Sequence, residues 1–360
     1  MKQRRTFTFR TVLQICAAVL ILLYAGCGGS EASQKDSSYF ISGSEEEKKE
    51  LSNLFRLLNE EEQIGEPRFS LVSQIADTLL KQKEDAKYNL FLTSYVEKNP
   101  DDPFNAYYLL LVAQNYEKKK AYPLAAHYFH RILKNHPDII LHGTPVHQIC
   151  LKSLLLLTDQ PEYRIWYYRE LLERFSEHID LGSTYYEMAV TYEKLGKWEE
   201  AYEAYRKFLQ YPDTFIPGNP GAYEQVQKAL KFHDSAKDWT LESLDVLVNE
   251  IRAAIWLRDV NRLLRYKADV NFSARSWEQK DTDILSQTDF EIGIFLARNR
   301  IYTDDELDMG SNAREAYLRT WGWYSSLGTW YFYFRRVNYP ADPEINGRWE
   351  WAGILFGEKF

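Results

Sequence analysis

Between Glu45 and Phe232 the chain reads as successive amphipathic helices, with almost no strand-like alternation. Proline closes three of them, at Pro100, Pro137 and Pro212, in "VEKNPDDP", "LKNHPDI" and "LQYPDT". The intervals are 37 and 75 residues, the second close to twice the first. A period of this size constrains the fold more than any composition does. Each unit is too short to bury its own apolar face, so neighbours must stack into a helical solenoid.

The clearest copy is "STYYEMAVTYEKLGKWEEAYEAYRKFLQYPD", residues 183–213. Tyr185, Met188, Ala189 and Tyr192 supply the apolar and small positions of its first helix. Gly196 makes the turn, Trp198 opens the second helix, and Ala201, Tyr205 and Phe208 pack back. Ala189 and Ala201 allow the two backbones to approach closely where the helices cross. This pattern resembles the tetratricopeptide repeat. A second copy spans residues 105–137, with Leu109, Val112, Ala113, Tyr116, Tyr122, Ala125, Phe129 and Ile132 in register. There Lys120 replaces the turn glycine and Pro123 falls in the first turn of the second helix, where no N–H is needed. Residues 69–100 and 145–178 read as degenerate copies, the latter with a start signal of Asp159 before Pro161 and Glu162. Residues 222–232 read as a closing helix.

The resemblance implies a ligand groove lined by first-helix residues that point away from the packing face. By position these are Tyr107, Leu110, Gln114 and Glu117 in the earlier copy, and Ser183, Tyr186, Val190 and Glu193 in the later one. Aromatic, apolar and acidic residues stand where the family's carboxylate-clamp members carry Lys, Arg and Asn. The expected partner is therefore a protein segment with apolar anchors and positive charge. The competing expectation is that the rest of the chain covers these side chains.

The N-terminus carries an address. Lys2, Arg4, Arg5 and Arg10 precede an apolar run from about Val12 to Tyr24, too short for the ~20 residues of a spanning helix. Small residues Ala25 and Gly26 follow, then Cys27. "LYAGC" resembles a bacterial lipoprotein signal, which implies cleavage before Cys27 and acylation of its thiol. An uncleaved anchor or an ordinary secretory signal is the alternative. Loss of residues 1–26 would remove four basic residues and no acidic one, deepening the formal charge from −8 to −12. Such a charge argues against a nucleic-acid partner. Residues 27–44, beginning "CGGSEASQKDSS", read as a flexible tether. The expected location is a bacterial envelope, membrane-anchored and facing the periplasm, with the choice of inner or outer membrane open.

The expected architecture is mainly α: a tetratricopeptide-like solenoid over residues 45–236, then a smaller α+β domain over 237–360 with aromatic-rich antiparallel strands. "LESLDVLVNEIRAAIWLRDVNRLLRYK" reads as one or two helices broken near Asp259. "ADVNFSA" reads as a strand, "DFEIGIFLARNRIYT" as helix or strand, and "SNAREAYLRTW" as a helix. "TWYFYFRRV" and "RWEWAGILF" alternate as strands. Their tryptophans suit a sheet core; the alternative is a small-ligand or carbohydrate-binding protein, or an enzyme, with its site in this aromatic domain. Cys150 reads as a small core residue.

Chemistry is sparse. His127 and His130 lie three apart with no third ligand in reach, and "DDELDMG" lacks the alternating ligands of a calcium loop and reads as a solvated helix start. Nothing selects Asp281, Asp283 or Glu291 as paired catalytic acids. The sequence thus predicts a non-enzymatic scaffold without metal or cofactor. It is similar in outline to repeat lipoproteins that serve outer-membrane assembly or accompany periplasmic solute transporters.

Overall fold

A computed structural model of the chain describes residues 37–279, 290–323 and 328–358. Cys27 and most of the tether, and Asp281 with Asp283, lie outside the described residues. Contacts divide the chain into two compact units, with the division between Asp159 and Gln160. Residues near 236, the expected domain boundary, lie inside the second unit, where Lys237, Trp239 and Thr240 are buried.

The first unit is a run of helices: α1 (Glu45–Glu60), α2 (Glu66–Lys81), α3 (Asp85–Lys98), α4 (Asn105–Lys118) and α5 (Tyr122–Asn135). A two-residue hairpin, β1 (Ile140–Leu141) and β2 (Thr144–Pro145), leads into α6 (Val146–Leu157). Helix α1 starts with a reciprocal cap: the Glu47 N–H donates to Ser44 Oγ at 3.3 Å, and the Ser44 N–H donates to Glu47 Oε2 at 2.7 Å. Each helix packs on the next, and α4 also meets α6. The interior consists of the residues the repeat register selects, among them Ile75, Ala76, Leu79, Leu109, Ala113, Ala125 and Phe129. Tyr122, expected in that register, is instead 45% exposed. Cys150 is fully buried, and burial pushes its thiol pKa far up, so it is an inert neutral packing group.

Three turns inside the helix pairs share one backbone geometry. Lys83, Lys120 and Gly196 all have left-handed φ, at 60°, 59° and 67°. In each case the N–H of the following residue returns to the carbonyl five residues back: Glu84 to Leu79, Ala121 to Tyr116, and Lys197 to Tyr192. This closes the last carbonyls of the first helix and reverses the chain. The glycine of the third copy and the lysines of the other two do the same work, at different conformational cost.

The second unit begins with α7 (Pro161–Arg174), whose N-cap is Gln160 rather than the expected Asp159. A 3₁₀ turn (Ser176–His178) leads to α8 (Leu181–Lys194), α9 (Trp198–Phe208) and α10 (Ala222–Asp234). Asp180 caps α8 by accepting the Ser183 N–H at 2.8 Å. Ala189 and Ala201 are fully buried where α8 and α9 pack.

After α10 come α11 (Leu244–Leu257) and α12 (Val260–Arg265), separated at Arg258, which has a left-handed φ of 54°. The rest is β3 (Ser273–Ser276), α13 (Ile292–Arg298), β4 (Tyr302–Thr303), β5 (Glu315–Trp321), β6 (Thr329–Arg336) and β7 (Trp349–Phe356). The sheet order is β3-β7-β6-β5-β4; β4 to β7 pair antiparallel, and β3 runs parallel to β7.

Three sequence expectations are corrected here. "SNAREAYLRTW" is a strand, not a helix: Ala316, Leu318 and Thr320 are buried on alternate positions, opposite Phe334, Phe332 and Trp330 of β6. Cross-strand packing outweighs the helix propensity of Ala, Glu and Arg. The strand expected at "ADVNFSA" starts only at Ser273, where pairing with β7 begins. "DDELDMG" is a loop, not a helix start; its Asp308 side chain accepts the Gly310 N–H at 2.8 Å. The ambiguous "DFEIGIFLARNRIYT" contains both α13 and β4.

Trp323, Trp330, Trp349 and Trp351 are core, whereas Trp321 is half-buried on β5. Trp323 stacks on Trp330 with ring centroids 4.8 Å apart, and Phe332 stacks on Trp351 at 4.4 Å. Leu247, Ile251 and Ile255 of α11 join the same cluster. Strand β7 is buried on both faces, and even Glu350 within it is only 2% exposed. Its carboxylate accepts from Trp239 Nε1 at 2.9 Å and from Arg335 Nε at 2.8 Å. A buried charge requires such partners.

Candidate functional site

The two expected groove surfaces have different fates. On α4, Tyr107 is half-buried beside Phe69, with ring centroids 5.5 Å apart. Leu110 is buried and belongs to the interior of its repeat. Gln114 is exposed and Glu117 half-exposed. Burial raises the pKa of the Tyr107 hydroxyl, and the carboxylate of Asp77 on α2 adds to the shift. Asp77 is exposed and lies 37 residues before Gln114, one repeat earlier in the same register. Sequence reasoning missed it because residues 69–100 had too few consensus positions to carry a groove. Extending the register by one repeat finds it. Together α2 and α4 present Asp77, Tyr107, Gln114 and Glu117, an acidic and aromatic face.

On α8 the chain itself meets part of the equivalent face, at Gly182 and Tyr186. Asn219 Nδ2 donates to the Tyr186 hydroxyl at 3.0 Å, while the Tyr186 ring packs on Phe208 at 5.2 Å and Tyr205 at 6.0 Å. A Cβ on Gly182 would come within 1.9 Å of Thr214 Oγ1, so glycine is what lets the segment after α9 cross the start of α8. Ser183 is occupied in the helix cap, and Val190 is half-buried.

Glu193, at the far end of α8, lines a cavity of about 630 Å³ with Trp198, Tyr202, Phe232, Arg335 and Tyr339. Burial raises the Glu193 carboxyl pKa, partly countered by a hydrogen bond from Tyr205. Tyr202 stacks on the His233 imidazole at 3.9 Å, and His233 Nδ1 lies 2.7 Å from the Tyr339 hydroxyl. The Lys237 ammonium donates to the carbonyls of His233 and Ser235 at 2.8 Å and sits 5.2 Å from the Tyr339 ring. Burial lowers its pKa, against the pull of Asp342 and Asp234. These contacts tie α9 and α10 to the loop after β6.

Among the described residues, no group of three or more His, Cys, Asp or Glu could hold a metal. Nor is any described helix long and apolar enough to cross a membrane.

Residues 183–214 match the family model of the tetratricopeptide repeat. That segment therefore carries a tetratricopeptide repeat. Among solved structures, the crystal structure of MamA is 14% identical with a TM-score of 0.30, covering 44% of this chain and 86% of its own. A tetratricopeptide repeat protein from Parabacteroides merdae ATCC 43184 is also 14% identical, with a TM-score of 0.33, covering 55% of this chain and 73% of its own. No curated protein matches the sequence.

Proposed function

We propose that this chain is a non-enzymatic scaffold, lipid-anchored at Cys27 in a bacterial envelope and facing the periplasm, that holds a partner protein on the α2–α4 face of its first unit. One observation carries the reading. Of two groove surfaces in the same repeat register, the one on α8 is met at Gly182 and Tyr186 by the chain's own Thr214–Asn219 segment, whereas Asp77 and Gln114 are exposed and Glu117 half-exposed. An exposed carboxylate beside Tyr107, Asp77, with half-exposed Glu117 further along α4, suits a basic segment with an apolar anchor. The anchor rests on the sequence of residues 2–27. Tethering would raise the local concentration of scaffold around a partner in or near that membrane.

The test is recovery of the partner from solubilised membranes by affinity-tagged protein. Glu117→Lys with Asp77→Lys should abolish recovery, and Tyr107→Ala should reduce it at least tenfold. Tyr186→Ala and Val190→Ala should leave it unchanged. Recovery indifferent to the first set refutes the α2–α4 assignment. Incorporation of labelled fatty acid that persists in Cys27→Ser refutes the anchor independently.

A further inference from the structure

At the end of α11 the chain places Trp256, 80% exposed, two residues before Arg258. Both line a cleft of about 610 Å³ with Arg252, Arg300, Tyr302 and Asp305. Buried Ile255 and Ile301 also line it and give it an apolar wall. That volume lies in the range of small-molecule sites.

The charges are unusual for an acidic chain of formal charge −8: three guanidinium groups face one carboxylate. The neighbouring Asp304 is drawn away toward Arg319, 3.9 Å distant. Arg252 is committed at one end, its NH2 group donating to the carbonyls of Asp304 and Asp305 at 2.8 and 2.7 Å. Its Nε is buried and has no hydrogen-bond partner among the described residues. The Arg300 guanidinium rests over the Tyr302 ring, 5.5 Å from its centroid, and Tyr302 stacks in turn on Trp321 at 5.8 Å. Among the described residues, neither Arg300 nor Arg258 pairs with a carboxylate. Gly322 keeps the wall in place: at φ 90° its Cα meets the Arg300 carbonyl, where a Cβ would come within 2.4 Å.

Guanidinium groups that converge without carboxylate partners are matched by a phosphate or carboxylate. The large exposed indole beside them is matched by the apolar face of a ring. We infer that this cleft is a binding site for a small anionic sugar, a carbohydrate ring carrying a phosphate or carboxylate group. Arg258 and Arg300 hold the anion, Trp256 stacks on the ring, and Arg252 stays fixed to the loop that forms the far wall. The inference is independent of the scaffold reading, since it concerns the second unit and a different surface.

The experiment is isothermal titration of the full chain with glucose 6-phosphate, glucuronic acid, glucose and inorganic phosphate as probes. At least one anionic sugar should bind ten or more times tighter than glucose and than inorganic phosphate. Arg258→Gln and Arg300→Gln should each weaken that binding tenfold or more, Trp256→Ala about as much, and Asp305→Asn should tighten it. Arg258 and Trp256 are exposed, so these variants fold, as circular dichroism on the same samples would verify. The inference is overturned if neither anionic sugar binds, or if binding survives both arginine changes. It is also overturned if the chain sediments with phosphatidylglycerol vesicles through these arginines and neither sugar competes, which would assign the cluster to a membrane surface.

Discussion

Replacing Lys120 by glycine should stabilise the first unit, although it deletes a side chain and adds backbone freedom. Lys120 holds a left-handed φ of 59° and its side chain is exposed. For an L-residue that conformation costs roughly 1–2 kcal/mol, which glycine avoids. Glycine in turn loses roughly 0.4–1 kcal/mol more entropy on folding. The difference is a net gain of about 0.5–1 kcal/mol at Lys120, and the same at Lys83, whose φ is 60°. The converse holds at Gly196. No atom lies within 4 Å of where its Cβ would stand, so Gly196→Ala meets no clash and reports the backbone alone. It should cost about 0.5–1 kcal/mol. Urea denaturation followed by circular dichroism reads both changes as shifts in the transition of the affected unit. If Lys120→Gly destabilises while Gly196→Ala is neutral, the three turns do not share one conformation and the repeat register is wrong.

Other substitutions test the packing and the electrostatics. Ala201→Leu should cost about 1–3 kcal/mol by forcing α8 and α9 apart at a fully buried crossing, read by the same denaturation. Glu350→Ala should cost about 3 kcal/mol, because it leaves the buried Trp239 N–H and the Arg335 guanidinium without their carboxylate; a loss below about 1 kcal/mol would refute that role. Glu193 has a raised pKa in the fold, so the folded state binds the proton more tightly and ionisation penalises it. Stability from this group is therefore greatest in acid and falls as pH rises above the ordinary carboxylate value of 4.5. Glu193→Gln should raise stability at pH 7 and flatten that slope; an unchanged pH profile contradicts the account.

How much of this was legible depended on period. The 37-residue spacing and the Ala189–Ala201 pair announce the solenoid, because only small residues fit a helix crossing. The strand at Glu315–Trp321 was misread because its composition favours a helix, while its alternate burial arises from pairing with β6, which no local window contains. The same holds for the site. The register names Tyr107, Gln114 and Glu117, but Leu110 turns inward and Tyr186 on the α8 face is met by a segment that lies outside the helices. Asp77 was within reach of the register and needed only one further step of 37 residues. The arginine cleft was not legible, since Arg252, Trp256 and Arg300 converge from α11 and the approach to β4, more than 40 residues apart.

The central claim is that partner binding uses the α2–α4 face and not the α8 face. Photocrosslinking in intact cells, with a photoreactive residue placed singly at positions 77, 114, 186 and 190, addresses it directly. The account predicts one shared adduct from positions 77 and 114, lost on Tyr107→Ala, and none from 186 or 190. The same adduct from 186 or 190, with none from 77 or 114, would contradict it.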